Sequence, residues 1–293
     1  MDVSFRLVDV FTEQPFAGNQ LCVVPEPPMG LDAATMATLA REIGFSETTF
    51  VTEAGGDRYA VRIFTPAEEL PFAGHPTLGT AFTMVSEGRV TSPVTQTTAA
   101  GEVPLDVDLD RGFATMRQPP PVFGEEFDDR DLLARACGLA AGDLDPALPA
   151  QVVSTGLGSL IVPIRDVETL RRAERDGRAC RKACERSGGA ELYLFAVRAD
   201  GDVVARMFDP TGTMGEDPAT GSAAGPLGAY LAARELAGMP GSIVVSQGEQ
   251  VGRPSFLHVE AKPDDDSWVV RVGGGVRIVG EGVFRDVSPP VGS

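Results

Sequence analysis

The sequence predicts an α/β protein, more closely an α+β protein, built from two similar domains. Three observations support this fold class. The chain has 293 residues, which corresponds to roughly two domains of the usual size. Its apolar segments have the lengths of short strands interrupted by a few helices. One sequence pattern also occurs twice, about 145 residues apart, so the two domains are expected to resemble each other.

The first half of the chain alternates strands with two helices. Residues 31–44 have apolar side chains at helical spacing and close on a glycine. Residues 76–87 are apolar on nearly all sides, which indicates a buried helix. Strands are expected over 5–11, 20–24, 48–52 and 59–65, and a hairpin over 102–109 and 113–117.

The run Gln-Pro-Pro-Pro at 118–121 is expected to link the domains, because proline favours extended chain. The predicted domains are therefore 1–118 and 119–293, and the last strands could pack back on the first domain. Beyond the linker, helices are expected over 129–137, 168–187 and 222–237, and strands over 151–164, 191–197, 203–209, 242–247, 256–261, 268–272 and 276–279.

The repeated pattern is R-x-F-x-P followed by E-x-P-x-x-G-[HS]. The first copy spans 62–75 and the second spans 206–222, with a loop three residues longer. Each copy connects a strand to an apolar helix, which favours duplication over chance. Two similar domains that face each other would form one cleft, the usual place for a ligand.

Composition excludes several classes of function. Lys and Arg number 25 against 42 Asp and Glu, a net charge of −17. Without a basic domain or tail, a nucleic-acid or anionic-membrane partner is not expected. The chain has two His, so a multi-histidine metal site is impossible, and two Lys offer little Schiff-base chemistry. No leader-like segment or apolar run of about 20 residues is present, which favours the cytoplasm.

The four cysteines form no CxxC pair. Cys180 and Cys184 are four residues apart in an Arg-rich stretch and could supply half of a zinc site. An ordinary helix with reduced thiols is the favoured interpretation, so no metal is expected. Cys22 is expected to be a small buried apolar residue in the N-terminal strand.

Both copies of the repeat place a glycine at a helix start, Gly74 and Gly221. Free backbone N–H groups and the helix dipole at such an end attract an anion such as a carboxylate. His75 lies at the start of the first helix, and Asp217 is expected to hold the equivalent place in the second copy. Ser222 follows Gly221. The alternative is that these residues simply cap helices.

Glu47 lies between Phe45 and Phe50, after a helix end and before a strand. Partial burial there would raise the pKa of its carboxyl and suit it to acid/base work near neutral pH. An exposed loop glutamate is the alternative, and local sequence alone favours that alternative.

Five blocks, in order along both halves, resemble the PhzF family of phenazine biosynthesis proteins. The resemblance extends from residue 9 to about residue 225, and the strand-rich tail also suits the family. The blocks are PFAGN at 15–19, SETTFV at 46–51, RIFTP at 62–66, ELPFAGHPT at 69–77 and EDPATGSA at 216–223.

The resemblance implies a diaminopimelate-epimerase-like fold. Each domain would be a curled, mostly antiparallel sheet around a central helix, with the active site in the interdomain cleft. It implies an isomerase of the trans-2,3-dihydro-3-hydroxyanthranilate type that acts on a small anionic substrate without cofactor or metal, in a homodimer. Glu47 matches the acid/base glutamate, and His75 and Asp217 match residues that hold the substrate and assist proton movement. The same resemblance places Asn19, Gly74, Gly221 and Ser222 at the substrate.

Two alternatives stay open at this point. An amino-acid racemase or epimerase of the two-cysteine type needs a cysteine at each helix start, where this chain has Gly74-His75 and Gly221-Ser222. A catalytically silent binding protein with the same fold would not need Glu47, His75 and Asp217 together.

Overall fold

The computed structural model describes residues 1–212, 215–265 and 267–287, which form two compact units. Unit 1 contains Met1–Arg117 and the chain from Gly273 onward, and unit 2 is Gln118–Val272. Two residues of the longer repeat loop, 213 and 214, lie outside the described residues.

Unit 1 is a sheet with two helices. Its strands are β1 Val3–Val10, β2 Asn19–Val24, β3 Glu47–Gly55, β4 Arg58–Phe64, β5 Glu69–Leu70, β6 Val94–Thr98, β7 Gly101–Asp108 and β8 Phe113–Gln118, and its helices are α1 Ala33–Ile43 and α2 Gly74–Ser86.

Unit 2 has more helix than unit 1. Its strands are β9 Val122–Phe127, β10 Ala150–Ser154, β11 Gly158–Pro163, β12 Glu191–Val197, β13 Val203–Phe208, β14 Glu216–Asp217, β15 Gly241–Gln247 and β16 Ser255–Asp264, and its helices are α3 Arg130–Ala136, α4 Val167–Arg172, α5 Gly177–Ser187 and α6 Gly221–Ala232. Strand β17, Ser267–Phe284, begins in unit 2 and continues into unit 1.

The last strand joins the first unit. The predicted second domain ran to residue 293, with last strands that could pack back on the first domain, and the part of β17 beyond Gly273 pairs antiparallel with β1, from Val10↔Val276 to Val3↔Phe284. Ladder hydrogen bonds along eight residues of β1 tie this segment to unit 1.

The two units repeat one order of strand pairing. In unit 1, β2 and β3 are parallel, β3 and β4 antiparallel, β4 and β6 parallel, and β6 and β7 antiparallel. In unit 2 the same order holds for β11 and β12, β12 and β13, β13 and β15, and β15 and β16. The repeat predicted from the sequence therefore corresponds to a repeated supersecondary structure.

A buried helix packs on the sheet of each unit, as predicted. Helix α2 begins at Gly74, two residues before its predicted start, and α6 ends at Ala232, five residues before its predicted end. A Cβ atom at Gly79 would lie 2.6 Å from Leu21 Cδ2, so this glycine lets α2 approach β2 closely. Gly228 has the same role in α6, where a Cβ would meet Val259.

One local prediction was wrong. The single helix expected over 168–187 is two helices, because the Asp176 side chain accepts the N–H groups of Arg178 and Ala179 and starts α5 afresh.

The first residue of the expected linker is buried. Gln118 is 4% exposed, donates to the Gly221 carbonyl at 2.9 Å and accepts the Thr155 hydroxyl at 2.7 Å.

In the part of the chain that the structure describes, no helix has the length and apolar character needed to span a membrane.

Candidate active site

Glu47 is placed by the end of α1 and the start of β3. Gly44 ends α1 in the left-handed conformation, with φ of 70°, and its N–H donates to the Ala40 carbonyl. The chain then enters β3, where Glu47 pairs in parallel register with Leu21 of β2. The residue is 7% exposed. The exposed-loop alternative for Glu47 is therefore wrong.

His75 is the second residue of α2, and its ring lies against Glu47. His75 Nε2 is 3.3 Å from Glu47 Oε2 and 3.2 Å from the Gln20 carbonyl oxygen. A carbonyl oxygen can only accept, so the bond to Gln20 needs the ring proton on Nε2 and leaves Nδ1 as an acceptor. Burial lowers the pKa of His75 to about 3, against a smaller opposite effect of the Gln20 hydrogen bond. The ring is neutral at pH 7 and supplies no positive charge to Glu47.

Asn19 lies beside the residue that precedes Glu47. It begins β2, is 2% exposed, and its Oδ1 accepts a long hydrogen bond of 3.5 Å from Ser46 Oγ. Gly74 is the buried first residue of α2, and the N-cap residue Ala73 makes no side-chain capping bond. Glu47, His75, Asn19 and Gly74 therefore form one group in unit 1, at the start of α2.

Asp217 does not hold the place equivalent to His75, and that prediction was wrong. Asp217 lies in β14 opposite Met207, just as Leu70 lies in β5 opposite Ile63. A two-residue strand thus comes before each helix, and Asp217 belongs to that strand. The counterpart of His75 at the start of α6 is Ser222, which is half-buried.

A chain of hydrogen bonds ends on the Asp217 carboxylate. Tyr193 O–H donates to Gln247 Oε1 at 2.8 Å, and Gln247 Nε2 donates to Thr220 Oγ1 at 3.0 Å. Thr220 O–H then donates to Asp217 Oδ2 at 2.6 Å. Gln247 Nε2 also donates to the Asp217 carbonyl at 2.8 Å. Donation to the carboxylate favours its ionised form and fixes its orientation.

The sequence alone does not identify Tyr193, Gln247 and Thr220 as neighbours of Asp217. Thr220 stands at an unspecified position of the repeat, directly before Gly221. As the N-cap residue of α6 it makes no side-chain capping bond; its hydroxyl accepts from Gln247 Nε2 and donates to Asp217. Nothing in the sequence singles out Gln247, which is 30 residues from Asp217 and reaches it only in the folded sheet.

The cysteines take no part in either group. Cys22, Cys137, Cys180 and Cys184 are buried free thiols, as the reduced-thiol interpretation predicts. Burial raises the pKa of Cys22 to about 12, against the smaller effect of a hydrogen bond with Thr48. Among the described residues, no three or more His, Cys, Asp or Glu side chains are grouped so that they could hold a metal ion.

Comparisons with known proteins agree with this architecture. A family model described as phenazine biosynthesis-like protein matches residues 8–282. An uncharacterized isomerase of Clostridium acetobutylicum is 34% identical over 286 residues, which cover 93% of this chain and 94% of that protein. The trans-2,3-dihydro-3-hydroxyanthranilate isomerase of Pseudomonas aeruginosa is 35% identical over 262 residues, 88% of this chain and 90% of that enzyme.

The fold has solved counterparts. The crystal structure of a PhzF-family phenazine biosynthesis protein from Bacillus anthracis has a TM-score of 0.86 and 26% identity, and covers 97% of this chain and 99% of that chain. The predicted fold class is therefore confirmed.

Proposed function

From the premise that this chain belongs to the phenazine biosynthesis-like family and is an isomerase, we propose that it moves a proton on a small carboxylate-bearing substrate. The proposed substrate is of the dihydro-hydroxyanthranilate type, and Glu47 is the acid/base group. The Pseudomonas aeruginosa relative, 35% identical to this chain, is a trans-2,3-dihydro-3-hydroxyanthranilate isomerase, which supports this substrate class.

One observation carries the proposal: the Glu47 carboxyl lies 3.3 Å from a neutral, buried His75. Because His75 is uncharged, it lies beside the carboxyl without neutralising it by a positive charge. A buried carboxyl with an uncharged neighbour can take a proton from carbon and give it back, which is what a proton shift requires.

In the proposed reaction, Glu47 removes the proton from the ring carbon that bears the hydroxyl and returns it to another carbon on the same face. His75 and Asp217 hold polar groups of the substrate while its electrons move. Asn19, Gly74, Gly221 and Ser222 contribute to binding, the glycines through backbone N–H groups at the helix starts. Such N–H groups favour the substrate carboxylate and the negative charge that develops during the reaction.

Glu47→Gln tests the proposal. Glutamine keeps the size and hydrogen bonding of the side chain but cannot exchange a proton, so kcat should fall by about 10²-fold or more. The assay uses trans-2,3-dihydro-3-hydroxyanthranilate as the test substrate, and its turnover is followed spectroscopically. The matched control is Glu53→Gln, on the exposed end of the same strand. Near-normal turnover in the Glu47 variant would refute the assignment.

A racemase of the two-cysteine type is the second candidate, and the cysteine positions weigh against it. The helix starts carry Gly74-His75 and Gly221-Ser222, and Cys22 lies within β2. A silent binding protein is the third candidate. It would bind the substrate equally well before and after Glu47→Gln and would turn it over in neither form.

Three wider expectations stay predictions. They are the homodimer, which sedimentation tests, the cytoplasmic location, which cell fractionation tests, and the lack of any cofactor requirement, which activity after exhaustive dialysis against chelator tests.

A further inference from the structure

Glu191 occupies in unit 2 the position that Glu47 occupies in unit 1. Fifteen positions separate Glu47 from Arg62, and fifteen separate Glu191 from Arg206. The hairpins also share one register, since Thr48 lies opposite Phe64 and the next residue after Glu191 lies opposite Phe208. Each glutamate is therefore the first residue of the equivalent strand.

The two glutamates also have equivalent surroundings. Each pairs in parallel register with the preceding strand, Glu47 with Leu21 and Glu191 with Ser159. Each is 7% exposed. Burial of a charged carboxyl costs folding free energy unless other interactions compensate for it, and both repeats bury one at the same point. The function proposed above uses only Glu47 of these two glutamates.

Strand register places Glu191 on the same face of the sheet as Asp217. Side chains two residues apart on a strand share a face, so Glu191 shares one with Tyr193. Tyr193 lies opposite Met207, and Met207 lies opposite Asp217. Asp209 follows the end of β13, and its charge acts on Glu191. Three carboxyls, each at most 7% exposed, therefore lie in this part of unit 2.

The hydrogen bonds to these carboxyls differ. Asp217 accepts the Thr220 hydroxyl at 2.6 Å. Asp209 accepts the Thr211 N–H at 2.8 Å and the Thr211 hydroxyl at 2.7 Å. Glu191 Oε1 accepts the Ser159 hydroxyl at 2.8 Å. Like charges in one buried region cannot all ionise freely, so one of the three carboxyls is expected to keep a proton.

We propose that Glu191 is a positioning residue of the reaction, whose buried carboxyl keeps its proton in solutions more acidic than neutral and so lets Asp217 work as a carboxylate. Glu191 would act through Asp217 and would not itself touch the substrate. The proposal rests on the function assigned above to Asp217.

The electrostatics of the neighbouring groups support this assignment. Burial is the largest cause that raises the pKa of Glu191; the Ser159 hydrogen bond opposes it and the charges of Asp217 and Asp209 add to it, and the resulting pKa is about 7. Among the described residues, Tyr193 and Cys184 also interact with Glu191, and both keep their protons at neutral pH. Burial raises the pKa of Tyr193, and a hydrogen bond with Cys180 raises that of Cys184.

The first test needs no substrate. The folded protein keeps the Glu191 proton up to about pH 7, whereas the unfolded chain releases it near pH 4.5. The contribution of Glu191 to the unfolding temperature should therefore fall as pH rises between these values and level off above them. Over this range the unfolding temperature of wild type should drop, relative to that of Glu191→Gln, by a few degrees. Identical pH profiles of the variant and the wild type would overturn the proposal.

The second test is the pH profile of turnover of trans-2,3-dihydro-3-hydroxyanthranilate. Ionised Glu191 would add a negative charge beside Asp217, so the wild-type rate should fall about threefold or more between pH 7 and pH 8.5. Glu191→Gln should keep the rate at pH 6 within about threefold of wild type and abolish that fall. A large loss at pH 6, or an unchanged fall, would overturn the proposal.

Two further variants keep the tests decisive. Should Glu191→Gln fail to fold, Ser159→Ala removes the donor that favours ionised Glu191 and should move both pH profiles to higher pH. Unmoved profiles in Ser159→Ala would count against the proposal. Glu185→Gln, an exposed residue of α5, is the matched control. If the wild type does not turn the substrate over, the proposed function fails, while the unfolding profile still tests the proton on Glu191.

Discussion

The two copies of the repeat build the same arginine–glutamate pair in different surroundings. In unit 1, Arg62 donates to both carboxylate oxygens of Glu69 at 2.7 and 2.6 Å. In unit 2, Arg206 donates to both oxygens of Glu216 at 2.9 and 2.6 Å. The side chains of the first pair are 33% and 39% exposed, and those of the second are 7% and 13% exposed.

The arginine of the buried pair also binds the backbone at the end of a helix. Arg206 Nη1 donates to the carbonyls of Leu170 and Ala173 at 3.0 and 2.6 Å, and so satisfies the end of α4. Both arginines lie over the phenylalanine two residues on, Phe64 or Phe208, at 5.2 and 5.0 Å from the ring centroid. The two ion pairs thus have the same geometry. Their contributions to the unfolding free energy are expected to differ, because one pair is buried and the other is exposed.

The largest expected effect comes from Arg206→Ala. It leaves Glu216 and the α4 carbonyls buried without this partner, which should cost about 3–5 kcal/mol of unfolding free energy. Denaturant unfolding monitored by circular dichroism measures the loss. A cost below about 1 kcal/mol would show that burial does not distinguish the two pairs.

An intermediate effect on the unfolding free energy is expected at acid pH. It distinguishes the surroundings of Glu47, which include His75, from those of Glu191. The pKa of His75 is about 3 in the folded protein and near 6.5 in the unfolded chain, so its depressed value makes stability fall as pH drops below 6.5. Between pH 6.5 and 4.5 this should amount to about 2 kcal/mol.

The variant His75→Gln tests this expectation. Its unfolding free energy should decrease less than that of wild type as the pH drops from 6.5 to 4.5. In the same window Glu191 acts in the opposite direction, because its raised pKa makes stability increase as pH falls. Parallel stability curves of wild type and His75→Gln between pH 6.5 and 4.5 would show that His75 is not held neutral.

The smallest effect is expected from Arg62→Ala. An exposed pair contributes about 0.2–1 kcal/mol, and salt screens it. The unfolding free energy should change by that amount in low salt and by less in 1 M sodium chloride. A loss as large as that of Arg206→Ala would mean that the pair geometry, and not its burial, sets the cost.

The sequence predicted the fold class, the repeat and the two buried helices, because apolar periodicity and a repeated motif are local signals. It predicted Glu47 and His75 as residues of one site, and the two side chains lie 3.3 Å apart in the fold, yet local sequence favoured an exposed Glu47. Burial of Glu47 depends on β2, whose Leu21 is 26 residues away and becomes its neighbour only in the parallel sheet.

The errors in the second half have a similar origin. Asp217 was assigned to a helix start because a two-residue strand has no readable pattern. Gln247 and Tyr193 meet Asp217 and Thr220 only across strands. The prediction that the helix starts of both halves serve one substrate stays a prediction.

The pairing of β1 with β17 has a consequence for synthesis of the chain. Strand β1 is synthesised long before β17, the partner strand that ends at Phe284, whereas unit 2 is one continuous segment, Gln118–Val272. Domains usually fold in the order in which they are translated. In this protein unit 1 would be completed after unit 2 has been synthesised, and one edge of β1 would stay unpaired until β17 has been made.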